Sequence, residues 1–454
     1  SLFPIPFSLF PIPCSLFPLP YRIERLSAIR ALAFMLVVAS NQIKENYLMQ
    51  TGWRIGSLFG IPFWIDSSWF WALILVPLLN ANSFKATGGL PIALAAGFVM
   101  ALLLFGSVLL HELGHSLVAL SQGIKVNSIT LFLFGGVASI ERESKTPGGA
   151  FQVAIAGPAV SFGLFLLLTL VHQTLPRSGI FQVLISDLAA INLILAIFNL
   201  IPGLPLDGGQ ILKALVWQLT GSRFQGVHWA ARSGIVVGWL GIIAGMAVVL
   251  LNQGFFNGLW LGAIGIFILN NAIAYDQMTN IQEAITQLVA TDAMTNQFRV
   301  VDAKLTLRHF TDEYILANSL SADQNYQPVP FYAASDGRYR GMIVMEDLHH
   351  IERSRWETET LQNIARSLSE IVSLLEKAPL LEAINALETH QLKYITVLSP
   401  AGAVAGIIDR GDIVRTVAAK LKLPFSEADI KRIKLEGTYP PTLPLQSIAK
   451  NMNN

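Results

Sequence analysis

From Leu90 to Leu110 the chain carries no charged residue, and the five residues that follow are His111-Glu112-Leu113-Gly114-His115. About 20 apolar residues in a helix span the hydrocarbon core of a bilayer. The fold must therefore hold a polar pentad at or within a membrane. On a helix, residues four apart share one face, so His111 and His115 can aim their imidazoles at one ion. Imidazole nitrogen suits Zn²⁺, and two such ligands leave room for a third ligand and a water. Glu112 lies between them, where it could take a proton from that water. Burying two histidines and a glutamate in lipid without partners costs several kcal/mol by order of magnitude, which argues against incidental polar residues.

The rest of the chain fits a membrane setting. It has 454 residues, 53% of them hydrophobic and 13% charged, with a mean hydropathy of +0.52. Soluble domains carry about 25% charge. A net charge of +1 gives no sign of nucleic-acid binding. Cys14 is the single cysteine, which excludes an internal disulfide and a cysteine-based metal site. Residues 1–20 repeat SLFPIPF with small changes, and the repeated proline forbids a helix there. Residues 1–48 read either as a low-complexity, disordered N-terminal extension or as non-native read-through of repetitive upstream sequence, with Met49 then the natural start.

Residues 49–275 are expected to form a membrane-embedded domain. Met49–Ile65 mixes Gly, Trp and β-formers and predicts a short strand or hairpin at the interface. About six spans follow, near 67–79, 90–120, 151–171, 181–201, 233–251 and 255–274. Lys125, Arg142 and Lys145 follow the second span, and Lys213, Arg223 and Arg232 follow the fourth. The positive-inside rule then puts both termini and the pentad on the cytoplasmic side. Leu131–Glu141 is strand-like, with Gly135-Gly136 suited to a close backbone approach. It reads equally as an edge strand able to pair with an extended substrate or as an ordinary loop hairpin.

After Ala274 the composition turns charged, and an internal repeat emerges. Sixty-five residues separate Gly337 from Gly402, Gly341 from Gly406 and Asp347 from Asp412. Each half reads strand, glycine turn, strand, then an acid opening a helix, which predicts one compact soluble α+β domain. Its bounds are set at 288–418, with 419–454 as a polar tail.

A third zinc ligand must come from elsewhere. Asp207, in Asn199-Leu200-Ile201-Pro202-Gly203-Leu204-Pro205-Leu206-Asp207-Gly208-Gly209, ends the fourth span on the pentad's side. Its carboxylate would complete a His₂Asp set with an open position, although capping a helix would also explain it. HELGH at 111–115, Ala156-Gly157-Pro158 in the third span and NLIPGLPLDGG at 199–209 together resemble the site-2 protease family of intramembrane zinc metalloproteases. The resemblance covers about residues 50–275. It implies that His111, His115 and Asp207 bind one Zn²⁺, that Glu112 is the general base and that Asn199 helps to stabilise the oxyanion. It further implies regulated proteolysis of a single-pass transmembrane substrate. Family members often place an Asn soon after the Gly-Pro of the third helix; Ser161 stands in that neighbourhood here, and no role is carried over to it.

The C-terminal repeat resembles a tandem CBS domain pair. That resemblance implies an adenosine nucleotide with its ribose held by Asp347 and Asp412, and a homodimer formed through the pair. The positions where relatives have Ser or Thr for phosphate are Val344 and Asp409, which lack a hydroxyl and carry a repelling charge respectively. A purely structural or dimerising module fits as well, with both acids as helix caps. A prenyl-protein-processing membrane zincin would take a glutamate ligand from another helix, and Glu112 is the only Glu between Ser67 and Ile140. A CBS-regulated transporter would need inverted repeats, which the spans lack. A catalytically inactive scaffold would not need the intact pentad and Asp207.

Overall fold

The computed structural model describes residues 52–132, 135–174, 179–251, 254–316 and 329–453. The extension expected at 1–48 lies outside them. The chain divides into two compact units, one ending at Asp276 and the other beginning at Gln277.

The first unit opens with β1 (Trp53–Leu58) and β2 (Ile61–Ile65), an antiparallel hairpin turning at Phe59-Gly60, where both φ angles are positive. α1 (Trp69–Ser121) then carries the chain to β3 (Val126–Phe132), which pairs parallel with β2, and β4 (Gly135–Ile140) returns antiparallel. A parallel pair needs such a long crossover. The sheet order is β1-β2-β3-β4, so β4 is an edge strand. Ile61 and Phe63 alternate inward on β2 and meet Leu113 and Ala119 of α1 together with Val126 and Ile129 of β3. That apolar contact seats the sheet against the pentad.

Although α1 is hydrogen-bonded as one run, it is a hairpin. Gly89 has φ +81, and a Cβ on Gly97 would lie 2.5 Å from Pro77 Cα. A straight helix would put those two residues about 30 Å apart. The short arm beginning at Trp69 thus folds back along the arm that carries the pentad, and Trp69 meets the Phe105 ring at 5.0 Å. The short arm stands where the first span was expected but is not among the stretches long and apolar enough to cross a membrane, and the arm from Gly89 to Ser121 is the second expected span. α2 (Pro147–Thr174), α3 (Ile180–Asn199), α5 (Arg223–Leu250) and α6 (Phe255–Gln287) supply the rest. Among the described residues, five helical stretches are long and apolar enough to cross a membrane. α5 and α6 overrun the expected spans because their polar turns, around His228 and Gln282, continue the helix beyond the apolar part. α4 (Asp207–Thr220) is a separate amphipathic helix.

α5 and α6 pack through glycines. A Cβ on Gly241 would lie 2.9 Å from Gly265 Cα, and one on Gly245 would lie 2.5 Å from Gly262 N. Small residues let membrane helices approach closely where no hydrophobic effect draws them together.

In the second unit β5 (Arg299–Asp302), β6 (Phe331–Ser335) and β7 (Arg338–Ile343) form one sheet, and β8 (Ser373–Leu375), β9 (Tyr394–Leu398) and β10 (Val404–Asp409) form another. Each pairs its first two strands parallel and its last two antiparallel. Gly337 and Gly402 make the two hairpin turns at φ +73 and +77. Gly341 and Gly406 admit a crossing carbonyl, Arg366 O in one half and Thr295 O in the other. The two halves meet through Tyr332 Oη and Thr396 Oγ1 at 2.7 Å.

The segment expected as a polar tail is a folded part of this unit. After α7 (Leu380–Thr389) and α8 (Arg410–Leu421) come α9 (Glu427–Glu436) and α10 (Leu445–Asn453). Ile430, Ile433, Leu443, Leu445 and Ile448 join the core around Leu380, Ile384 and Val414. Their helical spacing gives an apolar stripe that average polarity conceals.

Candidate metal centre

His111 and His115 sit on the buried face of α1, and Asp207 is the first residue of α4. The structure brings the three together. His111 Nε2 lies 3.1 Å and His115 Nε2 3.2 Å from Asp207 Oδ2, and the two Nε2 atoms are 3.3 Å apart. Tetrahedral zinc with bonds of about 2.0–2.1 Å to such donors would set them about 3.3 Å apart.

The backs of the imidazoles fix what the fronts present. His115 Nδ1 lies 2.6 Å from Val153 O, a carbonyl that can only accept. His115 therefore carries its proton on Nδ1, and its Nε2 lone pair faces the shared centre. His111 Nδ1 is hydrogen-bonded to Ser161 Oγ at 2.9 Å, which leaves its Nε2 turned to the same centre. Two imidazole nitrogens and a carboxylate oxygen converge on one point, a donor set that fits zinc. Partners of this kind orient metal-binding imidazoles. Gly157 keeps the space open: a Cβ there would lie 2.6 Å from His111 Nε2 and closer still to His115 Nε2.

Asp207 is held by the irregular stretch before it. Leu204 N donates to Ala230 O of α5 at 3.1 Å, and Ser233 Oγ donates to Pro202 O. Gly203 lies against Gly234, while Gly208 and Gly209 let the start of α4 pass beside the backbone of Leu200 and Gly203. Irregular backbone in such proteins survives where protein surrounds it.

Glu112 points to the sheet side. The Ala138 N–H of edge strand β4 donates to its carboxylate, and a Cβ on Gly136 would lie 2.7 Å from its Cγ. The free edge of β4 therefore runs beside the pentad. Asn199 is the last residue of α3 and is half-buried.

The two acids of the repeat are engaged by this chain's own cations. Arg366 grips Asp347 with Nε to Oδ2 at 2.6 Å and Nη2 to Oδ1 at 2.7 Å, holding its carboxyl below the ordinary range. Asp412 is 1% exposed, and Lys434 of α9 donates to it at 2.7 Å and to Asp409 at 2.9 Å. Burial, followed by the neighbouring Asp409 charge, nevertheless pushes Asp412 upward. Asp409 also caps α8 by accepting from Asp412 N. Val344 precedes a single helical turn, Met345–Leu348.

The Peptidase family M50 model matches residues 99–186 and 168–241, which take in the pentad and Asp207. A putative zinc metalloprotease of Synechocystis, sll0528, is 40% identical over 371 residues, 81% of this chain and 96% of its own. The chain belongs to peptidase family M50. An alignment of 371 residues outruns the membrane unit, so the likeness includes the C-terminal unit. Rip3 of Mycobacterium tuberculosis, also described as a putative zinc metalloprotease, is 33% identical over 70% of this chain and 79% of its own. The solved site-2 protease of Methanocaldococcus jannaschii is 29% identical, covering 50% of this chain and 95% of its own, with a TM-score of 0.37. By family and by its apolar helices, the chain is an integral membrane zinc metalloprotease. Val153, Ser161 and Gly157 are the M50 site residues without a part in the expected ligand set, and only Gly157 lies in a recognisable stretch.

Proposed function

We propose that this metalloprotease cuts within the transmembrane segment of a single-pass membrane protein, in regulated intramembrane proteolysis. The observation that carries the reading is the triangle of His111, His115 and Asp207 donors at the end of a membrane-crossing helix, with Glu112 between the histidines. Zinc held there would supply Lewis acidity, making water nucleophilic near neutral pH and polarising the scissile carbonyl. Glu112 takes the proton of the attacking water and returns it to the departing amine as the C–N bond breaks. Asn199 donates its amide N–H to the carbonyl oxygen as charge develops, without adding a full charge to the membrane. A helical peptide bond is shielded from attack, so the substrate must unwind, and helix-weakening residues near the cut favour this. Once unwound, it can lie along the free edge of β4.

The distribution of basic residues supports a site opening to the cytoplasm, with the C-terminal unit on that side. That unit is read as a CBS-like regulator of access. The ion pairs at Asp347 and Asp412 favour a structural role for both acids over ribose binding.

Metal analysis of detergent-purified protein tests the core of this reading. About one zinc per chain is expected in the natural protein, with loss in Asp207→Ala. Glu112→Gln should keep the zinc and lower cleavage at least about 100-fold. Zinc retained by Asp207→Ala, or full activity in Glu112→Gln, would sink the assignment.

A further inference from the structure

Asn192 sits fully buried on α3, in a stretch otherwise made of apolar residues. Its Nδ2 donates to Ser107 Oγ of α1 at 3.0 Å and to Leu188 O, one turn back, at 2.9 Å. Its Oδ1 accepts nothing among the described residues. Turning the amide over would set its oxygen against the Leu188 carbonyl and leave the nitrogen unpaired instead. A buried amide left half satisfied costs about 1–3 kcal/mol, and a leucine of similar size would avoid that cost. Stability therefore does not account for the pair. What the bond does is tie one level of α1 to one level of α3.

The two helices run in the same direction. The apolar cluster that joins them before this point sets Ala96 and Met100 with Leu184 and Leu188. Beyond Ser107, the rise of a helix puts His111 about 6 Å and His115 about 12 Å further along α1. The same rise puts Asn199 about 10 Å beyond Asn192 on α3. Two helical turns also bring Asn199 back to the face that Asn192 presents to α1. Asn199 therefore stands at a level between the two zinc-binding histidines. A slip of one residue would move it by about 1.5 Å, and misplacement by about 1 Å can cost about 100-fold in rate.

We infer that the Asn192–Ser107 hydrogen bond is the register lock that sets Asn199 against the metal centre, which makes Asn192 a positioning residue. This rests on the reading of Asn199 as the oxyanion donor. The test uses full-length protein in detergent, fluorescein-labelled casein as the probe, and zinc analysis of every variant. Asn192→Leu and Ser107→Ala should each lower kcat about tenfold or more, with KM within about twofold and zinc unchanged. The double variant should be no worse than either single one, and Asn192→Leu should add nothing to Asn199→Ala. Equal losses from Asn192→Leu with and without Asn199 would overturn the lock while leaving Asn199 in place. An unchanged kcat in Asn192→Leu, or zinc lost with it, would overturn it too. An unchanged kcat in Asn199→Ala would instead remove the oxyanion reading and the lock together.

Discussion

Val153 O accepts from His115 Nδ1 and Ser161 Oγ is hydrogen-bonded to His111 Nδ1, and this small arrangement orients both imidazoles of the proposed metal site. With each Nδ1 engaged behind the ring, Nε2 is the nitrogen that each imidazole presents to the centre. Losing such a partner typically weakens metal binding about 10–100-fold. Ser161→Ala should therefore keep the fold and raise the zinc dissociation constant by about that range, measured by competition with a chelating dye. Gly157→Ala should be more severe, because its methyl would occupy the space between the two Nε2 atoms. No bound zinc is expected there; a Gly157→Ala protein with zinc at the natural level would refute this account of the cradle. The proposed ligands are legible in the sequence, the histidines because HExxH carries its geometry in its own spacing and Asp207 because its stretch ends the fourth span on the pentad's side. Ser161 and Val153 are not. They lie on another helix, and nothing in local sequence says which polar group meets the back of an imidazole. A buried Ser within a membrane span was the available signal.

The helices and strands followed the apolar pattern closely, and the departures have physical causes. Hydropathy marks where lipid is, whereas hydrogen bonding decides where a helix ends, so α5 and α6 run on past their apolar parts. The C-terminal segment reads as a tail in the sequence yet folds, because its charges outweigh the Ile430, Ile433 and Ile448 stripe in any average. Its α9 also carries Lys434, the partner of two carboxylates. Removing one member of a buried ion group leaves the others uncompensated, at a cost of about 3–5 kcal/mol. Lys434→Met should therefore destabilise the C-terminal unit by about 3 kcal/mol in chemical unfolding, with zinc content unaltered. Adding Asp412→Asn should recover part of that loss; no recovery would mean that Lys434 acts through packing alone. The exposed Asp347–Arg366 pair makes a different forecast. Arg366 lowers the folded-state pKa of Asp347 below its ordinary 3.8. The pair's contribution is thus present above that value and is lost as the pH falls through the lower folded one. Between about pH 5 and pH 3 the thermal midpoint of the natural chain should fall further than that of Asp347→Asn. Parallel curves would show that the pair contributes nothing measurable, as many surface pairs do.

At the scale of the whole molecule, the zinc triangle, Glu112 and the groups that support them, from His111 to Gly234, all lie within the first unit. The second unit has its own core and its own internal repeat, and the break in composition near Ala274 made that division readable in the sequence. Chemistry and regulation should therefore separate. In a chain ending at residue 287, Ile281 and Ile285 would lose the core that now covers them, so both are changed to Ser in the truncated protein. That protein should bind zinc normally and cut casein with unchanged kcat, because an unstructured substrate needs no help to reach the site. A transmembrane substrate in proteoliposomes must enter and unwind, and those are the steps a regulator of access can change. Its cleavage rate should shift at least about threefold on truncation, in either direction, a barrier difference of about 0.6 kcal/mol or more. Equal rates on the embedded substrate would show that the C-terminal unit does not govern entry. A loss of zinc would show that the two units depend on one another for folding, against the separation of their cores.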